Sequence, residues 1–218
     1  KAVVFDMDGV LIDSEPLWAE AEKTVFARYD LLLDDHDCEA TRGLRIDQAV
    51  SYWQQRYPAQ LSQSTEILVT DVLAELQAAI EQRGRALPGV DHLLGRLNKQ
   101  KIPMAIASSS PPEVIAQVVA KLNIGHFFTT QLSAMSIQYG KPHPAVYLQA
   151  CNTLQTPAQN CLAIEDSING MIAAKSARMP TLVVPEAAQF TDQRWSLADK
   201  KLASLAQFTQ QEWDKLCQ

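Results

Sequence analysis

Asp6 and Asp8 stand one residue apart directly after the apolar run Ala2-Val3-Val4-Phe5, and Gly9 follows them. Residues i and i+2 of an extended chain share a face, so carboxylates at this spacing can ligate one cation or divide the work of nucleophile and acid/base. Gly9 lets the backbone turn sharply towards a ligand. The same residues also read as a strand followed by an acidic turn, because Asp and Gly are ordinary turn residues. Three further stretches carry matching chemistry. Ser108-Ser109-Ser110-Pro111-Pro112-Glu113 follows an apolar run, with Ser110 and Glu113 at the spacing of a capping box. A helix start with free amides and serine hydroxyls is a seat for phosphate. Lys141 sits in Gly140-Lys-Pro-His-Pro144, where prolines stiffen the backbone and fix the ammonium. Such a charge offsets neighbouring carboxylates and holds a phosphoryl oxygen. His143, set between prolines, reads as structural. Glu165 and Asp166 close another apolar run before Ser167-Ile-Asn-Gly170. Adjacent acids there repel unless a cation answers them, and Asp166 with Asp6 and Asp8 makes an oxygen-rich set suited to Mg2+. Singly, each stretch reads equally as a serine-rich cap, a solvated lysine or an acidic N-cap. Together, at four successive expected strand ends, they supply what phosphoryl transfer through an aspartyl intermediate requires.

A scaffold is needed that brings these strand ends to one edge. Apolar runs predict strands at 2–5, 102–107, 127–132, 161–164 and 181–184, with a weaker one at 200–202. From Val90 onwards they alternate with helices over 90–97, 115–122, 146–154 and 168–178, the pattern of a doubly wound parallel α/β sheet. Between the first and second strands the period changes. Trp18, Ala21, Val25 and Tyr29 mark one helix, Ile46, Val50, Trp53 and Tyr57 a second, and Val69, Val72, Leu76 and Ile80 a third. Residues 15–85 therefore read as an inserted helical domain of about four short helices, and 1–14 with 86–218 as the α/β core. Ser14 with Pro16 opens the insert, and Thr209 with Glu212 suggests a capping box on a last helix.

The 218 residues suffice for one good core and a smaller lobe. A net charge of -6 with no Lys/Arg run gives no footprint for nucleic acid or an anionic membrane, so an anionic ligand must be held by local groups. Cys38, Cys151, Cys161 and Cys217 have no Cys-x-x-Cys spacing and read as reduced, which favours the cytoplasm. No apolar run has the length of a membrane span and no signal peptide precedes Lys1, which fits a short trimmed leader.

In order, and over the whole chain, Asp6-Met-Asp8-Gly9, Ser108 after its apolar run, Lys141-Pro-His-Pro and Glu165-Asp166-Ser-x-Asn-Gly resemble the four motifs of the haloacid dehalogenase-like hydrolase superfamily. The helical insert resembles the small cap of its β-phosphoglucomutase-like branch. The segments Asp6 to Trp18 and Arg42-Gly43-Leu44-Arg45-Ile46-Asp47 are similar to the hexitol and sugar phosphate phosphatases of that branch. The resemblance implies Asp6 as nucleophile and Asp8 as acid/base. It implies Mg2+ held by the Asp6 side chain, the Asp8 backbone carbonyl and Asp166, with Glu165 in support. Ser108, Ser109 and Lys141 would hold the phosphoryl oxygens, and Arg42, Gly43 and Arg45 would face the sugar end of the substrate. The implied activity is Mg2+-dependent hydrolysis of small sugar or polyol phosphates, of the hexose 6-phosphate, 2-deoxyglucose 6-phosphate or hexitol phosphate type, by a monomer. One departure separates the chain from the mutases: where they carry a cap-side histidine for proton transfer, it has Trp18. Alternatives are a phosphomutase and, from another class, a phospho-accepting signalling domain, in which the acidic pair and the acceptor Asp lie on different strands and no helical insert occurs. Serine-hydrolase chemistry lacks its Gly-x-Ser-x-Gly.

Overall fold

The computed structural model describes residues 1–216, so Cys217 lies outside the described residues. Cys38, Cys151 and Cys161 form no disulfide among the described residues. The strands are β1 (Ala2–Phe5), β2 (Met104–Ser108), β3 (Thr130–Ser133), β4 (Cys161–Glu165), β5 (Thr181–Val183) and β6 (Lys200–Lys201). They form one parallel sheet in the order β3-β2-β1-β4-β5-β6. Every residue of β1 is buried, because strands on both sides and helices on both faces enclose it. Its side chains alternate between the faces. Val3 and Phe5 join a cluster with Ile106, Leu162 and Ile164, whereas Ala2 and Val4 pack with Ala105, Ala107 and Ala163 on the other side.

Between β1 and β2 run α1 (Glu15–Ala27), α2 (Asp35–Cys38), α3 (Ile46–Arg56) and α4 (Thr65–Arg83), followed by α5 (Val90–Lys99). Leu17, Val25, Trp53, Leu68 and Leu76 of this insert share one continuous apolar cluster with Val3 and Phe5. The chain leaves and re-enters the sheet at one place: Asp13 N–H donates to the Arg85 carbonyl at 3.0 Å, and Leu87 N–H to the Leu11 carbonyl at 3.2 Å. Of the remaining helices, α6 (Pro112–Lys121) and α9 (Gln210–Leu216) cover the same face as α5. The opposite face is covered by α7 (Ala145–Thr153) and α8 (Ile168–Ser176). Strand order reverses at β1, with β2 on one side and β4 on the other, and in such sheets the ligand crevice opens beyond the carboxyl ends of those strands.

Two strands start later than the sequence predicts. Residue 102 ends a helix instead of starting a strand: Lys101 has φ 57°, and Ile102 N–H donates to the Leu97 carbonyl at 3.0 Å, closing α5. Phe127 and Phe128 are apolar because they pack on the core, the Phe128 ring meeting Phe5 edge-on at 6.0 Å, and Gly125–Phe127 is a 3-10 turn. The strand therefore begins only at Thr130.

Candidate active site

Asp6 continues β1 by one residue, its N–H donating to the Ile164 carbonyl at 2.9 Å, and the residue is only 7% exposed. The chain then reverses over Met7, whose carbonyl accepts the Leu11 N–H at 2.8 Å. Gly9 makes this possible with φ +70°, and a Cβ there would lie 2.2 Å from Asp166 Oδ2. The loops after β1 and β4 can meet only at a glycine.

Lys141 enters from the loop before α7 and is buried. Its Nζ donates to Asp6 Oδ1 at 2.5 Å and to Glu165 Oε1 at 2.6 Å. Burial works against its charge, yet the Asp6 and Glu165 carboxylates outweigh it and hold the lysine above its ordinary pKa. The Tyr147 hydroxyl also donates to Glu165 Oε1, at 2.6 Å. Glu165 Oε2 accepts the Asp166 N–H at 3.1 Å, and the Ser167 N–H and hydroxyl at 3.2 Å each. A Cβ on Gly170 would fall 1.8 Å from Glu165 Oε1, so that glycine reserves the space the carboxylate fills. Ser167 caps α8, its Oγ accepting the Gly170 N–H at 3.0 Å.

Asp6, Glu165 and Asp166 can offer ligand atoms within 4.8 Å of one another. Burial first, and then mutual repulsion, pushes the carboxyls of Asp6 and Asp166 well above the usual range, with Lys141 and Arg42 respectively opposing. Asp166 Oδ2 is buried and has no hydrogen-bond partner, the nearest cation being Arg42 Nη2 at 3.6 Å. An orphaned carboxylate oxygen in an all-oxygen cluster fits Mg2+, which takes few protein carboxylates. Both Glu165 oxygens are already engaged, so spare ligand capacity lies with Asp6 and Asp166.

Asp8 is held by four donors. Ser14 Oγ at 2.6 Å and Trp18 Nε1 at 3.1 Å reach its Oδ1, while Ser110 Oγ at 2.6 Å and Ser108 Oγ at 3.4 Å reach its Oδ2. This corrects one helix-start expectation: Ser110 does not cap α6, whose N-cap is Pro111. Ser14 is the N-cap of α1, with Pro16 in its first turn as expected, but its hydroxyl makes no cap hydrogen bond. Both hydroxyls are spent on the stronger, charged acceptor.

These groups share one cavity of about 510 Å³. Asp6, Asp8, Ser109, Ser110, Lys141 and Asp166 line its core side, and Trp18, Glu22, Arg42, Gly43 and Ile46 its insert side. Ser108 stands behind this wall, fully buried, its Oγ accepting the Ser110 N–H at 3.0 Å. Ser109 Oγ donates to the Gly43 carbonyl at 3.2 Å and so joins the insert to the core. Arg42 pairs with Glu186 at 2.6 Å, Glu39 at 3.2 Å and Glu15 at 3.3 Å. Arg45, expected at the sugar end, is elsewhere. Its guanidinium donates to the Ile137 and Ala134 carbonyls at 3.0 and 3.2 Å and to Asp47 at 2.7 Å, and it does not line the cavity. A loop with carbonyls to spare captures its fork of donors.

Ser110 as a partner of Asp8, Tyr147 beneath Lys141, and the acids Glu15, Glu22 and Glu186 were not singled out from the sequence as site groups. The i and i+7 spacing of Glu15 and Glu22, with Trp18 between them, was available as a sign that one face of α1 is polar and enclosed.

The model of haloacid dehalogenase-like hydrolases matches residues 1–178. Hexitol phosphatase B of Escherichia coli K12 is 39% identical over 209 residues, spanning 95% of this chain and 94% of its own. The 6-phosphogluconate phosphatase of the same organism is 27% identical over 181 residues, 82% of this chain and 80% of that one. Among solved structures, β-phosphoglucomutase of Clostridium difficile superposes with a TM-score of 0.86 at 22% identity, covering 98% of this chain and 95% of its own. With the motif residues gathered at the switch point of a parallel sheet, and with relatives aligned along nearly the whole chain, the protein belongs to the haloacid dehalogenase-like hydrolases.

Proposed function

We propose that the protein is a Mg2+-dependent phosphatase of small sugar or polyol phosphates that works through an aspartyl-phosphate. The observation that carries this reading is the Lys141 ammonium 2.5 Å from Asp6, in the same cavity as Asp8 and the orphaned oxygen of Asp166. Asp6 attacks phosphorus, forming an acyl phosphate as the ester P–O bond breaks, and the leaving alkoxide takes a proton from Asp8. Water then attacks the same phosphorus and gives its proton to Asp8, which restores the Asp6 carboxylate and frees phosphate. Lys141 and the serines at the start of α6 hold the phosphoryl oxygens, and Glu165 with Tyr147 holds Lys141 in place. Mg2+ bound by Asp6, Asp166 and the Asp8 backbone carbonyl would neutralise phosphoryl charge. Residues 15–85 act as a cap that closes over the sugar and excludes water. A cavity of about 510 Å³ suits a monosaccharide phosphate and excludes a phosphoprotein or nucleic acid.

Hydrolysis is favoured over mutase chemistry by Trp18. Its indole donates to Asp8 and has no lone pair to accept a sugar proton. The test is phosphate release with Mg2+ across hexose, pentose and polyol phosphates. Turnover on several of these supports the reading. Isomerised sugar phosphate, or a persistent phosphorylated protein without turnover, overturns it.

A further inference from the structure

Helix α1 turns Glu15, Trp18 and Glu22 towards the cavity. Glu15 is paired with Arg42 and Trp18 with Asp8. Glu22 has no cation of its own: it is 7% exposed, it lines the cavity, Trp53 and Thr41 are its hydrogen-bonding neighbours, and its Oε2 is buried with no hydrogen-bond partner. A buried carboxylate oxygen without a partner costs folding free energy, so one on a residue that lines a ligand chamber marks a place where a ligand hydroxyl supplies the missing partner. We propose that Glu22 is a specificity residue that binds a hydroxyl of an uncharged sugar or polyol leaving group, and that the chamber rejects substrates carrying a second anionic group. This rests on the phosphatase reading above and names the class of alcohol at that site.

The charge inventory supplies the second half of the argument. Among the described residues, Arg42 and Lys141 are the only cations that line the cavity. Lys141 is spent on Asp6 and Glu165, and Arg42 on four carboxylates. Nothing remains to receive a sugar acid or a second phosphate, and an anion near Glu22 would meet a like charge in a poorly solvated place. Ala19, Leu44, Ile46 and Ala49 line the same cavity and suit the C–H faces of a polyol better than a hydrated ammonium. The Glu22 carboxyl is pushed up to about 7 by burial, so near neutrality it exists in both forms, each able to take a hydroxyl.

The experiment compares the full-length protein with Glu22→Gln and Glu22→Met, loaded with Mg2+, on five phosphates: 2-deoxyglucose 6-phosphate, a hexitol phosphate, glucosamine 6-phosphate, 6-phosphogluconate and p-nitrophenyl phosphate. The wild-type protein should prefer the two neutral polyhydroxylated substrates over 6-phosphogluconate by at least about tenfold in kcat/KM. Glu22→Gln should cut that preference about tenfold, mainly through KM, and Glu22→Met should cut it further. Both losses should be at least several-fold larger than the loss on p-nitrophenyl phosphate, which offers no aliphatic hydroxyl. A tenfold change corresponds to about 1.4 kcal/mol, within the range of a single hydrogen bond. Parallel losses on all five substrates, unchanged preference in both variants, or a wild-type preference for glucosamine 6-phosphate would overturn the assignment of Glu22 while leaving the phosphatase reading intact. A folded, Mg2+-loaded wild-type protein that releases phosphate from none of the sugar phosphates overturns both.

Discussion

The indole nitrogen of Trp18 lies 3.1 Å from Asp8 Oδ1, so a helix of the insert is bonded directly to the carboxylate beside the nucleophile candidate. A hydrogen bond to a charged group contributes about 1.5–3 kcal/mol, and this one also orients Asp8. Trp18→Phe keeps the ring and removes the donor. It should lower kcat roughly tenfold to a hundredfold with little change in KM, because Asp8 loses its alignment and the phosphate seat is untouched. With β-glucose 1-phosphate the wild-type protein should release phosphate and form no glucose 6-phosphate. A Trp18→Phe variant with unchanged kcat would remove the indole from the mechanism.

Asp6→Asn should retain the fold and lose turnover by more than about 10^3-fold, since an amide is a poor nucleophile. The fold tolerates the change because burial already disfavours the Asp6 charge and Lys141 keeps Glu165 as partner. Circular dichroism and a melting curve check the first half, and single-turnover phosphate release checks the second.

Much of this geometry was legible in the sequence, and the limits have physical causes. Asp6, Asp8 and Asp166 could be read because they follow short apolar runs whose ends a parallel sheet places at one crevice, and Lys141 because prolines stiffen the loop that carries it. Ser110 was read as a cap because local spacing favours it, and a charged acceptor 102 positions away in sequence took the hydroxyl instead. Glu22 left only its i+7 spacing from Glu15 as a trace, because its hydrogen-bonding neighbours Trp53 and Thr41 belong to other elements, which no window of α1 contains. The edge strand β3 was misplaced because partly buried aromatics imitate a strand's apolar run.

Arg45→Ala should slow a hexose phosphate and p-nitrophenyl phosphate to the same extent and lower Tm. Arg45 ties α3 to the loop carrying Ala134 and Ile137, and two carbonyls lose charged donors when it is removed. A loss confined to the hexose phosphate would return Arg45 to the sugar site.

Mg2+ should raise Tm in proportion to its binding, by about 2.7 kcal/mol of stability at a hundred times Kd. The cation would answer the orphaned Asp166 oxygen and the repulsion among Asp6, Glu165 and Asp166. Asp166→Asn should remove most of that shift, and chelation should abolish turnover reversibly. An Asp166→Asn protein that gains the full Mg2+ stabilisation would place the cation elsewhere.

The pH dependence of stability offers a test of Glu22 independent of turnover. Burial raises its carboxyl from 4.5 to about 7, with Trp53 and Thr41 opposing and Glu15 adding repulsion. Cys38, which also faces it, stays a neutral thiol, its own pKa pushed up to about 12 by burial and by Glu22. A carboxyl whose folded pKa exceeds its unfolded one binds its proton more tightly in the folded state. Its contribution to stability is therefore fully present below about 4.5, declines as pH rises towards about 7, and is lost above that. The difference corresponds to roughly 3 kcal/mol. Glu22→Gln cannot ionise, so its stability relative to the wild-type protein should climb by up to that amount between pH 4.5 and 8.5. Glu15, also raised to about 7, is present in both proteins, so only the part of its titration that is coupled to Glu22 enters the comparison. Urea denaturation of the pair at the two pH values measures the change directly, and a difference that does not move with pH would mean that Glu22 is not buried as an uncompensated carboxyl.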